Sequence, residues 1–158
     1  MSDKRMLVGM LSLENRHLTR VALFSLFRGD WGNADYLVID NGSQEDDIMS
    51  LKDEFPHINF IRNDQHLGVA KGWNQILKFG DYSYYCIANN DLFFPKRFVK
   101  LMTDFMDQHP DAGCVSPFIQ DCRQDIAKIV SDRYDRVRGF YTFERELFKA
   151  LEWSYLPW

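Results

Sequence analysis

Four apolar runs, each released into a carboxylate or an amide and each parted from the next by a helical pattern, constrain this chain more than anything else in it. The first, Met6 to Leu13, is almost continuously apolar and ends on Glu14-Asn15. A run without polar alternation is what a strand covered on both faces requires. Tyr36 to Ile39 ends on Asp40-Asn41-Gly42-Ser43, and His57 to Ile61 alternates before Asn63-Asp64. Tyr84 to Ala88 closes on Asn89-Asn90-Asp91. Between the first two, Arg16 to Phe27 carries Leu18, Val21, Ala22, Ser25 and Leu26 at helical spacing, and Gly29-Asp30-Trp31-Gly32 stops it. Ser43 is expected to cap a short helix through Leu51 and Phe55, with Glu45, Asp46 and Asp47 against its N-terminal dipole. Gly68 to Phe79 forms the next helix, with Val69, Trp73, Ile76 and Leu77 sharing a face. Pro95 suits the first position of a helix through Phe98, Leu101, Met102, Phe105 and Met106, ended by His109-Pro110. Gly113 to Pro117 then reads as a fifth strand and Phe118 to Arg138 as a loop. Tyr141 or Phe143 falls in a last strand, and Arg145 to Leu151 in a last helix.

Such alternation predicts an α/β sandwich with a mainly parallel central sheet flanked by helices. At 158 residues, with no internal repeat and no linker, the chain reads as a single domain from 1 to 158. Its 46% hydrophobic content excludes a disordered chain, and nine Gly and five Pro without a period exclude a collagen-like one. A net charge of -4 gives no global reason to bind nucleic acid or an anionic membrane. The basic residues Arg123, Lys128, Arg133, Arg136 and Arg138 are interleaved with Asp125, Asp132 and Asp135, as on a solvated face. The cysteines Cys86, Cys114 and Cys122 are odd in number and lack C-x-x-C spacing, so neither a disulfide framework nor a zinc site is expected. Cys86 and Cys114 lie in apolar runs and are read as small core residues. No apolar stretch has the length of a transmembrane segment, and Lys4-Arg5 before the first run is followed by no cleavage site. The sequence reads as cytoplasmic.

In a parallel sheet of this kind, ligands bind beyond the carboxyl ends of the strands, where strand order reverses. The four polar releases are therefore candidates for one cleft, although Asp, Asn and Gly are also the ordinary residues of turns. Asp91 is the sharpest candidate: a lone carboxylate there suits Mg2+ or Mn2+, which complete their shells with phosphates and water. Asn89, two residues earlier in an extended segment, faces the same side and offers a carbonyl or a water-bridged contact. Asp40 fits two descriptions, an acceptor for a ribose hydroxyl or the start of an Asx-turn with Gly42. The first turn lacks G-x-G-x-x-G, and neither G-x-x-x-x-G-K-[ST] nor G-x-S-x-G occurs. Dinucleotide-binding, P-loop and α/β-hydrolase sites are accordingly disfavoured.

The order Val38-Ile39-Asp40-Asn41-Gly42-Ser43, then Asn63 through His66-Leu67-Gly68-Val69-Ala70-Lys71-Gly72-Trp73-Asn74, then Asn89-Asn90-Asp91, resembles the family-two nucleotide-sugar glycosyltransferases, which have the GT-A fold. Asn15-Arg16 and the segment Gly139-Phe140 to Arg145-Glu146-Leu147-Phe148 extend the likeness over roughly Met6 to Leu151. The resemblance implies a metal-dependent glycosyltransferase that moves a sugar, with inversion, from a nucleotide-diphosphate donor to an acceptor hydroxyl. It implies that Asp40 contacts the nucleoside and that Ser12, Leu13, Glu14 and Asn15 line the base pocket. Lys71, Asn74 and Asn90 come near the nucleotide on the same grounds. Asn89-Asn90-Asp91 becomes the counterpart of the D-x-D motif, with Asp91 and Asn89 toward a Mn2+ or Mg2+ cofactor.

The chain departs from the family pattern at four places. Glu14 stands where an aromatic is usual, His66 replaces a common Asn, and Asn89 replaces the first Asp of D-x-D. The family's base lies in a Glu-Asp motif beyond the Arg-started helix, whereas this chain ends at Trp153-Ser154-Tyr155-Leu156-Pro157-Trp158. The expectation is a short form lacking the usual C-terminal acceptor segment. None of Asp121, Asp125, Asp132, Asp135 and Glu152 is singled out as a substitute, so the catalytic residue is unassigned. The alternative reading is a non-catalytic GT-A-like binding or assembly module. The aromatic tail of Trp153, Tyr155 and Trp158 either serves a homo-oligomer or partner contact or packs back on the domain. A phosphoacceptor domain is a third reading, poorly matched because Glu14 alone stands where an acidic pair is wanted.

Overall fold

The first apolar run becomes the strand at the heart of the sheet because helices cover it on both sides. The computed structural model describes residues 6–27, 32–44 and 48–117. Along them run β1 (Met6–Ser12), α1 (Arg16–Phe27), β2 (Ala34–Asp40), a 3-10 helix (Ile48–Lys52), β3 (Asn59–Arg62), α2 (Val69–Leu77), β4 (Tyr84–Asn89) and α3 (Phe98–Gln108). The four strands form one sheet in the order β3-β2-β1-β4, and every pairing is parallel. The α/β class and the parallel sheet are thus as expected. From β1 the chain first builds outward through β2 and β3, then crosses back to place β4 on the other side of β1. Strand order therefore reverses between β1 and β4.

Two apolar layers follow from the period of two along β1. Met6, Val8 and Met10 face a core shared with Ala22, Leu23 and Leu26 of α1, Ile48 and Leu51 of the 3-10 helix, and Phe98 and Val99 of α3. Leu7 and Leu11 face the opposite core with Leu37, Ile39 and Ile76 of α2. That second layer is thin because two glycines let α2 come close. A Cβ on Gly9 would lie 2.2 Å from Ile76 Cγ2, and one on Gly72 would lie 2.5 Å from Leu11 Cδ1. Each glycine receives the other element's branched side chain.

Several boundaries differ from the expected ones. β1 stops at Ser12 rather than Leu13, since Glu14 and Asn15 turn to positive φ (51° and 53°). β2 is longer than Tyr36 to Ile39, because Ala34 and Asp40 pair with Met6 and Ser12. β3 is shifted to Asn59–Arg62, where Leu37 to Asp40 supply its partners. Among the described residues Ser43 Oγ accepts the N–H of Glu14 at 2.8 Å, and the short helix through Leu51 is the 3-10 helix Ile48–Lys52. α3 begins at Phe98, and Pro95 sits in the preceding turn with its carbonyl accepting the Phe98 N–H at 3.0 Å. On α2, Gly72 and Ile76 are buried while Val69, Trp73 and Leu77 are 52%, 37% and 44% exposed. Of the expected apolar stripe only Ile76 docks; the close fit at Gly72 decides which side meets the sheet.

The expected fifth strand, Gly113 to Pro117, is not a strand. Its residues are exposed or half-buried, the Ser116 hydroxyl bonds the Pro117 carbonyl, and proline has no N–H to give a ladder. Cys114 is accordingly exposed rather than a core residue, whereas Cys86 packs against the α1-side core. The chain divides into two compact units, Met1–Asp111 and Ala112–Trp158, and the sheet and its helices belong to the first. The Gly29-Asp30-Trp31 stop, Glu45 to Asp47 and everything expected from Phe118 onward lie outside the described residues. No helix among the described residues is long and apolar enough to cross a membrane.

Candidate functional site

At the carboxyl ends of β1, β2 and β3 the ladder continues one residue beyond each pairing. Asn41 donates its N–H to the Ser12 carbonyl and Asn63 to the Asp40 carbonyl, both at 2.8 Å. The side chains next to these bonds then tie the loops together. Ser12 Oγ and Thr19 Oγ1 are 2.7 Å apart, and Asn90 Nδ2 donates to both, at 3.2 and 3.1 Å. Asn90 thus spans the strand-order reversal, joining the loop after β4 to β1 and α1.

The β2 end is joined to its neighbours in the same way. Glu14, held at positive φ, donates its N–H to Ser43 Oγ and accepts the Gln44 N–H on its own carboxylate at 2.5 Å. Asn41 Oδ1 accepts from Asn63 Nδ2 at 3.1 Å and from the Leu67 N–H at 3.2 Å. Asn63 and Gln75 exchange two amide hydrogen bonds, at 2.9 and 2.8 Å, which tie the last turn of α2 to the residue following β3. Gly42, at φ 89°, passes so close beneath the next loop that a Cβ would stand 2.4 Å from the Gln65 carbonyl carbon and 2.6 Å from the His66 nitrogen.

Asp40 has the least satisfied side chain of this region. It is 0% exposed, and Oδ1 accepts the Ser43 N–H at 2.9 Å. The turn foreseen with Gly42 thus closes on Ser43 instead. Oδ2 is buried and accepts no hydrogen bond among the described residues. Arg62, opposite Asp40 in the last β2–β3 pair, brings Nε to 3.6 Å of Oδ2 and donates from Nη2 to the Ser43 carbonyl at 2.9 Å. An ion pair at that distance offsets part of the cost of burying a carboxylate and leaves an acceptor without a donor.

Of the residues singled out from sequence, Ser12, Glu14, Asp40 and Asn90 fall within this bonded set. Leu13, Asn15, Lys71, Asn74, Asn89 and Asp91 are exposed. Asn89 pairs with Leu11 and so stands on the α2 side of β4. Asn90 and Asp91 lie in a turn, so strand alternation does not carry from Asn89 to Asp91, and a common side for the two no longer follows. Among the described residues no three His, Cys, Asp or Glu side chains gather as a metal cluster. One exposed carboxylate with a neighbouring amide still fits Mg2+ or Mn2+, which keep several waters and take substrate phosphates. Asp121, Asp125, Asp132, Asp135 and Glu152 lie outside the described residues, as do the basic cluster and the aromatic tail.

The sequence reading passed over Arg62, Thr19 and Gln75. Ending the third strand at Ile61 left Arg62 in a loop, although a cation directly before Asn63 was a legible signal. Thr19 and Gln75 carried none, since a polar residue on a helix is ordinarily solvated.

A parallel sheet whose order reverses between β1 and β4, with polar loops at that point, is an α/β fold of the GT-A type. Solved structures share it. S. aureus TarS matches with a TM-score of 0.60 and 17% identity over 67% of this chain and 20% of that one. TarS 1–349 in complex with UDP-GlcNAc matches at 0.61 and 17%, over 72% of this chain and 37% of that one. The mannosyltransferase PcManGT from Pyrobaculum calidifontis, in complex with GDP-Man and Mn2+, matches at 0.53 and 18%, over 59% and 29%. The chain spans well under half the length of these structures. It belongs to glycosyl transferase family 2, whose profile matches residues 13–155. No curated protein matches its sequence.

Proposed function

We propose that this chain, working as one domain from residue 1 to 158, transfers a sugar from a nucleotide-diphosphate donor to an acceptor hydroxyl, with inversion. The observation that carries this reading is Asp40: a fully buried carboxylate oxygen without a hydrogen-bond donor, at a strand end near the reversal point. A nucleoside N–H or hydroxyl supplies the missing donor, at a gain of about 1.5–3 kcal/mol for a bond to a charged group. The solved relatives in complex with UDP, UDP-GlcNAc and GDP-Man support that ligand class. Leu13 and Asn15 line the base, while Lys71, Asn74 and Asn90 sit toward the nucleotide. Glu14 positions the pocket by holding Gln44 rather than reading the base.

Asp91 and Asn89 are the residues that would hold Mn2+ or Mg2+, and the bound ion would stabilise negative charge on the departing diphosphate. The complex of PcManGT with GDP-Man and Mn2+ supports that choice. We place the enzyme in the cytoplasm, with its catalytic base unassigned. The test is titration calorimetry with UDP, GDP and dTDP sugars, with and without Mn2+. Saturable binding to one of them is expected, weakened at least tenfold by Asp40→Ala, together with slow donor hydrolysis abolished by Asp91→Ala. Binding without any hydrolysis or transfer favours the assembly module, and no binding at all refutes both.

A further inference from the structure

We propose that Arg62 is a positioning residue of the donor site, balancing the charge of Asp40 while leaving its buried Oδ2 without a competing donor, so that a nucleoside supplies it. The inference rests on the nucleotide-sugar reading above. Arginine ordinarily closes its planar fork on a carboxylate through two short hydrogen bonds. Here the fork is divided. Nη2 is spent on the Ser43 carbonyl at 2.9 Å, and this anchor keeps Nε at 3.6 Å from Asp40 Oδ2, beyond hydrogen-bond range. The cation is close enough to offset a charge that water cannot reach and too far to occupy the acceptor.

The anchor matters as much as the charge. Ser43 donates its N–H to Asp40 Oδ1 and accepts the Glu14 N–H on its hydroxyl. Through the Ser43 carbonyl, Arg62 therefore holds the turn that orients the Asp40 carboxylate. Its side chain is 47% exposed, so it fills no part of the core, and its removal is expected to disturb the site more than the fold.

A double-mutant cycle on the full chain tests this, with UDP, GDP and dTDP as calorimetric probes and pyrophosphate as a displacing ligand. Arg62→Met is expected to weaken the best nucleoside diphosphate about tenfold, with pyrophosphate affinity unchanged. Arg62→Lys recovers only part of the loss, because an ammonium restores charge without the divided fork. Asp40→Asn added to Arg62→Met costs little more, since the two act as a unit. Equal losses for pyrophosphate would make Arg62 a phosphate ligand and overturn the proposal, as would additive losses in the cycle. If wild type binds a nucleotide and Arg62→Met binds it equally, this inference alone fails. If wild type binds none, it fails together with the donor-site reading. Should Arg62→Met not fold, full affinity in Arg62→Lys would overturn the inference.

Discussion

Gly42 shows how a single residue can be required twice. Its φ of 89° lies where side chains are strained, and its α-carbon faces the backbone of Gln65 and His66 at less than contact distance for a Cβ. Backbone cannot rotate away as a side-chain tip can. Gly42→Ala is therefore expected to cost about 2–4 kcal/mol, read as a lower urea midpoint at unchanged slope. Asp40 is the complementary case. Sequence offered an Asx-turn or a ligand acceptor, and the structure divides the two between its oxygens: Oδ1 closes the turn and Oδ2 is left over. Glu14 was expected to line the base pocket with Ser12, Leu13 and Asn15, and its carboxylate takes the Gln44 N–H. No local pattern could have announced a bond between residues 30 apart.

Elements meet where small residues permit it, and α2 is the example. Gly9 and Gly72 both admit a branched side chain, but the two sites differ in stiffness. A Cβ on Gly9 would meet three atoms of the β-branched Ile76 at 2.2 to 2.8 Å. Gly9→Ala is expected to destabilise by about 1–3 kcal/mol. Gly72→Ala meets the tip of Leu11 and gains about 1 kcal/mol of helix propensity, so its net effect is expected to be small. Thermal unfolding of the two variants checks the contrast, and Ile76→Ala in the Gly9→Ala background should cost less than the sum of the singles. The helices α1 and α2 and the four strands were legible because their periods are local. Their ends were not, since β2 and β3 extend as far as a neighbour offers ladder bonds. Gly113 to Pro117 failed for the same reason: it finds no pairing strand among the described residues.

At the scale of the whole molecule, burial also sets an alkaline limit. Desolvation pushes the Cys86 thiol from its ordinary 9.0 up to about 12. Desolvation, with help from Asp35, raises the Tyr82 hydroxyl from 10.0 to about 12. Both groups hold their protons more tightly folded than unfolded. Their contribution is complete below pH 9 and is lost as pH rises through about 12, because the unfolded chain releases these protons first. Urea midpoints should fall over that window, and less steeply in Cys86→Ala. In the native protein at mildly alkaline pH, iodoacetamide should modify exposed Cys114 and spare Cys86, as peptide mass mapping would reveal.

By itself the sequence determined the alternation of strands and helices, the α/β class and the polar inventory at each strand end. Those follow from period and composition within a dozen residues. Only the tertiary structure decided the strand order β3-β2-β1-β4 and hence where the crevice lies. It also decided which polar residues are spent on one another, such as Asn90 on Ser12 78 residues earlier, and which is left without a donor among the described residues, as Asp40 Oδ2 is. The physical reason is that a hydrogen bond is satisfied by whatever lies within reach in space. Across a parallel sheet that neighbour is set by strand order, and sequence proximity does not foretell it.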